Sequence, residues 1–395
     1  MTAPVRLAVV LSHPTQYYSP WFRWLQAHAP VDLRVFYLWD FGATVQRDAQ
    51  FQTAFKWDVD LLSGYAHEFV PNAARRPGTE HFWGLRNPTL TDRLAAWRPD
   101  AVLLFGYAYA SHLRVVAWAR RTGVPLVFRG DSHFLGRPAP GWLRTTVLRT
   151  LYRQFAAVTY VGLANRDYFA ALGVPERKLF FAPHAVDDTL FDPREPRHRE
   201  AAALLRAELG LAPTTRVVLF AGKFVPAKQP VELLESFLAL NRPDTALVMV
   251  GDGPERERLL ETARRARPGQ VHFLPFANQT EMPARYLLAD VFVLPSRGLY
   301  ETWGLAVNEA MHLGVPCVVS DRVGCQQDLV TEGETGWVFR VVEVDGLRRA
   351  LDRALAAPRG ALAAAIATRI GAYTYRHAAD GLLAAVGAAR HSSPA

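Results

Sequence analysis

The sequence predicts an α/β protein made of two doubly wound, parallel-sheet domains that face each other across a cleft. Three observations predict it. The chain has 395 residues, long for one hydrophobic core and ample for two. Two series of short apolar, β-branched runs alternate with helical patterns, which is what parallel sheets covered on both faces require. Between the two series, residues 192–199 are charged and broken by Pro193 and Pro196, and read as a linker leading into a short helix.

The first series opens with the apolar run Val5–Leu11. Ser19-Pro20 then places a helix N-cap and a proline at the first helical position. Further strands are expected at Val31–Leu38, Ala101–Gly106, Pro125–Phe128 and Val158–Gly162, with helices over Ser111–Arg121 and Trp142–Phe155. The second series has strands at Arg216–Phe220, Ala246–Val250, Val271–Leu274, Val291–Leu294 and Cys317–Ser320. The expected organisation is an N-terminal domain over residues 1–195, a C-terminal domain over 196–360 and an alanine-rich helical tail over 361–395. Doubly wound sheets bind ligands beyond the carboxyl ends of their strands, so facing domains put the site between them.

Composition narrows the class. Half the residues are hydrophobic and 21% are charged, a balance that suits buried cores and excludes a disordered chain. Cys317 and Cys325 form no metal spacing and no disulfide framework, which suits a reducing, cytoplasmic setting. Met1–Pro4 runs straight into a strand without a signal-peptide pattern, and no apolar run reaches transmembrane length. The net charge of +8 is uneven: residues 1–195 carry 22 basic against 16 acidic side chains, and residues 196–395 carry 23 against 21. A basic first half suits an anionic surface or acceptor, or reflects arginine usage alone. Residues 132–166 hold no acidic side chain, and within them Arg144, Arg149 and Arg153 alternate with Trp142, Leu148, Leu151 and Tyr152. Two readings stay open there: an interfacial helix on anionic lipid, and a sheet-covering helix with its arginines in water.

The sharpest chemical signal is the stretch from Glu301 through Thr302, Trp303, Gly304 and Leu305 to Glu309, which follows the buried run Val291–Leu294. Gly304 permits close backbone approach, and the amides of the helix that begins there suit phosphate. Glu309 is placed to accept hydrogen bonds from two ribose hydroxyls, and Glu301 to reach a transferred sugar. Spacing alone equally describes a capped helix with two solvated glutamates. Upstream, Gly222, Lys223 and Lys228 form a strand–glycine–lysine pattern whose cations suit a diphosphate.

These residues resemble the paired-glutamate motif of retaining glycosyltransferases of family 4, the group 1 glycosyl transferases, which have the GT-B fold of two Rossmann-like domains. The run Gly314–Gly324, the turn Val250–Pro254 and the segment Leu274–Gln279 extend the resemblance over about residues 155–340. It implies a nucleoside-diphosphate sugar as donor and Lys223 and Lys228 against the diphosphate. Phe276 and Asn278 would border the nucleobase. Thr302, Trp303, Gly304, Leu305 and Gly222 would line the donor site. In place of the family's usual glycine-rich loop stands Ser12-His13-Pro14-Thr15-Gln16-Tyr17, similar to a subset with His-Pro-Thr-Gln-Tyr. His13, Gln16 and Arg129 are expected on the acceptor side, and Asp131 or His133 beside the donor sugar.

No metal-ligand cluster and no P-loop appears, so no cofactor and no metal are expected. The acceptor is a glycan, a lipid-linked sugar or a small molecule, with membrane contact open and nucleic acid not expected. The expected activity is retaining transfer of a hexose-type sugar. A nucleotide-sugar epimerase of the same architecture and a non-catalytic nucleotide-sugar-binding protein are the competing classes.

Overall fold

The computed structural model describes residues 4–41, 57–138, 140–298 and 301–391, and the backbone of 46–47 and 54–55. Met1–Ala3, on which part of the N-terminal reading rests, lie outside them.

The first domain contains β1 (Val5–Leu11), α1 (Tyr18–His28), β2 (Val31–Tyr37) and the two-residue strands β3 (Gln46–Arg47) and β4 (Ala54–Phe55). It continues through β5 (Ala66–Phe69), α2 (Leu90–Trp97), β6 (Ala101–Phe105), α3 (Ala110–Thr122), β7 (Leu126–Arg129), α4 (Trp142–Tyr152), β8 (Ala157–Tyr160), α5 (Leu163–Ala171) and β9 (Leu179–Phe181). Its sheet has seven strands in the order β5-β2-β1-β6-β7-β8-β9, with parallel pairing throughout. Both faces are covered, as the uninterrupted apolar strands demand: residues of α2–α5 pack on one face and residues of α1 on the other.

The second domain holds α6 (Pro196–Glu208), β10 (Arg216–Ala221), α7 (Pro230–Ala239), β11 (Thr245–Val250), α8 (Arg256–Ala263), β12 (Val271–Leu274), α9 (Met282–Leu287) and β13 (Val291–Leu294). Then follow α10 (Leu305–His312), β14 (Cys317–Ser320), α11 (Gln326–Leu329), β15 (Gly336–Phe339), α12 (Gly346–Ala356) and α13 (Ala363–Ile370). The six strands run β12-β11-β10-β13-β14-β15, all parallel.

In each sheet the strand order turns at one place, between β1 and β6 and between β10 and β13. Loops leaving the carboxyl ends there diverge and open a crevice. The β1–α1 loop carries Ser12–Tyr17; the β10–α7 and β13–α10 loops carry Gly222–Lys228 and Glu301–Gly304.

Two expectations change. Ser19 is not an N-cap: α1 begins at Tyr18, whose amide bonds the Thr15 hydroxyl, while the Ser19 amide bonds the Thr15 carbonyl. Thr15 therefore closes the first turn and Ser19 is buried inside it. Residues 361–391 also do not form one tail. Leu362, Ile366 and Ile370 join the core of the second domain. The helix after them, α14 (Tyr375–His391), crosses back and buries Ala378, Leu382, Ala385 and Val386 in the core of the first. Gly381 makes the close approach possible, since a Cβ there would strike the carbonyl of Phe181 in β9.

Candidate active site

A cavity of about 350 Å³ lies where the two switch points face each other. From the second domain come Gly222, Lys223, Lys228, Phe276 and Glu309; from the first come His13, Gln16 and Tyr17. Backbone geometry builds the second-domain wall. Gly222 has φ +155° and Gly251 +141°, and a Cβ on Gly251 would meet the Gly222 carbonyl. Gly304 has φ +100°, and a Cβ there would press Leu294 and Val323 at 2.9 Å. Only glycine lets the β13–α10 loop turn into the helix at this height. The N-cap of α10, Gly304, offers no side-chain cap, and the Val307 amide turns back to its carbonyl at 2.8 Å.

Glu309 sits a turn into that helix and is buried. Its Oε1 accepts from Tyr17 Oη at 3.0 Å and from Gln279 Nε2 at 3.2 Å, and its Oε2 from Tyr286 Oη at 2.7 Å. Burial raises its pKa, and the three hydrogen bonds oppose the rise. Burial and the same carboxylate also push the Tyr17 and Tyr286 phenols far up, so both stay proton donors.

Glu301 forms the second acidic point. Its Oε2 lies 3.0 Å from Lys228 Nζ and accepts from the Ser296 hydroxyl at 2.8 Å. Lys228 in turn lies against Gly222, 3.3 Å from where a Cβ would stand. Glycine, lysine and glutamate thus form one contiguous surface from two loops. Among the described residues, no group of three or more His, Cys, Asp or Glu is placed to hold a metal ion.

Other expected site residues are placed elsewhere. Arg129 is buried; it donates to the carbonyls of Ala182 at 2.9 Å and Pro183 at 3.3 Å and stacks over Trp21. It ties the end of β7 to the chain leaving β9 and does not line the cavity. His133 is also buried. Its Nδ1 accepts from the Leu135 amide at 3.0 Å, which leaves Nε2–H to donate to the Glu301 carbonyl at 3.2 Å. Burial lowers its pKa, so it holds the glutamate loop as a neutral ring. Asp131 accepts from the Thr302 hydroxyl at 2.7 Å and stands 3.5 Å from His184 Nε2. Burial opposes its ionisation, but these neighbours prevail and keep its carboxyl below the ordinary value.

Trp303 is buried, its indole donating to Asn308 Oδ1 at 2.8 Å, with the ring against Gly162 and Tyr373. It packs the joint between the domains, where a donor cannot touch it. Asn278 caps the short turn at 279–281, accepting from the Gln279 amide. The side chain that reaches into the site is its neighbour Gln279. Leu305 packs against the second core.

His13 does line the cavity, edge-on to Trp39 and Phe41, and burial lowers its pKa to about 4. Near neutrality it is an uncharged ring. Sequence reasoning left out Gln279 and Tyr286, whose partner lies 23 or more residues away, and Trp57, whose ring stands 6.5 Å from that of Phe276.

The domains touch at several further points. Asp58 accepts from the Thr280 amide at 3.2 Å and from its hydroxyl. Asn308 donates to the His184 carbonyl at 3.2 Å, and both oxygens of Asp328 accept the Leu163 amide at 3.1 Å. A larger concavity, about 500 Å³, lies at the opposite edge of the second sheet. Its Arg206, Arg216 and Arg359 bond backbone carbonyls of the surrounding loops, which makes it scaffold.

Two parallel-sheet α/β domains with a crevice between their switch points define the GT-B architecture. Solved structures agree. HepE of Anabaena, solved with UDP and glucose, superposes with TM-score 0.69 at 17% identity, covering 97% of this chain and 99% of that one. A glycosyltransferase of Rickettsia africae gives 0.75 at 12%, covering 99% and 100%. The glycosyl transferases group 1 family matches residues 202–376. Glycogen synthase of Mycobacterium tuberculosis is 30% identical over 292 residues, 71% of this chain and 67% of that protein. The chain belongs to the group 1 glycosyl transferases. A GDP-mannose-dependent α-(1-6)-phosphatidylinositol monomannoside mannosyltransferase of Mycolicibacterium smegmatis is 35% identical over 241 residues, 58% of this chain. The match spans 62% of that relative's length.

Proposed function

We propose that this chain transfers a hexose-type sugar from a nucleoside-diphosphate donor to an acceptor hydroxyl, with retention at the anomeric carbon, as in family 4. The observation that carries the reading is the cavity that joins Glu309 to Lys223 and Lys228, with Glu301 paired to Lys228 at 3.0 Å just outside its lining. Glu309 takes the ribose hydroxyls, and Lys223, Lys228 and the helix amides take the diphosphate. Glu301 then stands where the sugar would lie. As the C1–O bond to the β-phosphate breaks, negative charge grows on the departing oxygen, and fixed cations stabilise it. The acceptor oxygen bonds to C1, and its proton passes to that phosphate oxygen. These residues supply the charge that transfer needs, so the reaction as proposed draws on no metal.

Glu309 also limits how the donor enters. A carboxylate offers about four acceptor positions, and three hydrogen bonds already occupy it. A ribose diol brings two more donors, so one present partner must leave. Gln279 and Tyr286 belong to the same domain as Glu309; Tyr17 reaches from the other. Donor entry therefore accompanies release of Tyr17 and separation of the domains at this point.

The test is calorimetry with UDP, GDP, ADP, CDP and dTDP on wild type and Glu309→Gln. One nucleotide should bind wild type and bind the variant at least about tenfold more weakly, the loss of one or two hydrogen bonds to a charged group. Equal affinity in a folded variant would overturn the assignment. Transfer product with the inverted anomer would overturn retention.

A further inference from the structure

We infer that the outer face of α4 docks the first domain onto an anionic membrane surface. The inference is independent of which sugar is transferred. The inner face of the helix is ordinary, with Leu148 and Tyr152 buried in the first domain's core. The outer face is not. Trp142 is 75% exposed, Leu143 62% and Val147 65%. Thr146 and Thr150 are exposed between them. At 100° per residue these five side chains form one sector in which no charged residue of α4 falls; the C-cap Arg153 closes its far end on the Trp142 side.

The two threonines are less polar than they look. The Thr146 hydroxyl donates to the Trp142 carbonyl and the Thr150 hydroxyl to the Thr146 carbonyl, both at 2.9 Å. Their donors are spent inside the helix, so the sector shows methyl groups, an indole, a leucine and a valine.

Arginines flank this sector. Arg149 and Arg153 lie along one edge and Arg144 along the other, all exposed. No acidic residue occurs between Ser132 and Arg166. A soluble, sheet-covering helix places its charges at the centre of its outer face. Here the centre is apolar and the cations sit at the rim. That arrangement fits a bilayer surface, where the apolar sector enters the acyl boundary and the guanidinium groups stay among phosphates. Tryptophan and arginine are the side chains best suited to those two depths.

The position also suits an acceptor delivered from a membrane. Trp142 follows Arg137 by five residues, and Arg137 donates to the Gly298 carbonyl in the loop that carries Glu301.

Flotation of the full chain with vesicles, without nucleotide, tests the inference. Vesicles of phosphatidylcholine with about one third phosphatidylglycerol should carry the protein, and phosphatidylcholine alone should carry much less. The triple substitution Trp142→Ser, Leu143→Ser, Val147→Ser should lower recovery about tenfold or more while melting temperature and nucleotide affinity hold. Arg144→Gln with Arg153→Gln should lower binding to the anionic vesicles and remove its salt dependence. Equal recovery of wild type and the triple variant would overturn the inference. So would equal binding to neutral and anionic vesicles. Concentration-dependent self-association abolished by the triple variant, without vesicle binding, would assign the face to a second copy of the chain instead.

Discussion

The two walls of the cleft were built by different rules. On the second-domain wall, polar side chains stand where backbone geometry forces them. Gly222, Gly251 and Gly304 adopt conformations that a side chain would strain or obstruct, and the functional groups follow at fixed offsets. On the first-domain wall, the strand end 129–133 offers guanidinium, carboxylate and imidazole groups, yet these bind the protein itself. Arg129 holds two carbonyls, Asp131 holds Thr302, and His133 holds the Glu301 carbonyl. Polar residues at a sheet's carboxyl edge therefore divide into those that face ligand and those that hold the loops facing ligand. The identity of the residue does not say which.

Exchanging the two kinds of residue gives the largest expected effect. Lys228→Ala should lower turnover by about 100- to 1000-fold, the usual cost of one preorganised electrostatic contact, with little change in melting temperature. Arg129→Gln should do the reverse, lowering the melting temperature while the folded fraction keeps normal nucleotide affinity. Steady-state kinetics alongside thermal unfolding would read both, and parallel losses in the two variants would erase the distinction between the walls.

Asp328 tests the joint. Burial pushes its pKa from 3.8 to about 6, although the Leu163 amide and Tyr373 hydroxyl hydrogen-bond it. The folded state thus holds the proton more tightly than the unfolded one. Its contribution to stability is complete below about pH 4 and is lost as pH rises through about 6. Relative to wild type, Asp328→Asn should therefore gain stability between pH 4 and 7, on the order of 3 kcal/mol. Urea midpoints across that range would show it, and a constant difference between the two proteins would not fit.

Tyr17 gives the smallest effect and the most specific. If its hydroxyl competes with ribose for Glu309, Tyr17→Phe should bind nucleoside diphosphate about five- to tenfold more tightly, one hydrogen bond's worth. Weaker binding would mean that Tyr17 orients the carboxylate and belongs with Arg129 and His133.

The same contrast explains what the sequence disclosed. All ten expected strands appear; nine lie inside a sheet, and Val271–Leu274, an edge strand, was legible because three of its four residues are apolar. The strands it concealed, Ala66–Phe69, Leu179–Phe181 and Gly336–Phe339, lie at sheet edges. Edge strands are short, and Ala66–Phe69 is half polar, so none presents a long apolar run. The cap at Thr15 was hidden because Ser19-Pro20 imitates a better one. Glycines and lysines of the second domain were legible because their constraint is local. The roles of Arg129, Asp131 and His133 were not, because the groups they hold lie 53 to 171 residues away, and Trp303 was hidden because Gly162 of the other domain covers it.

The return of α14 to the first domain sets an order on synthesis. The first core includes Tyr375, Ala378, Leu382 and Val386, which leave the ribosome only after the whole second domain. While the second domain is being made, the face that α14 covers on β6–β9 has no lid, and its apolar residues meet solvent or a chaperone. The domain begun first is thus finished after the second, and a nascent chain stopped before Tyr375 carries an open sheet however well its second half has folded.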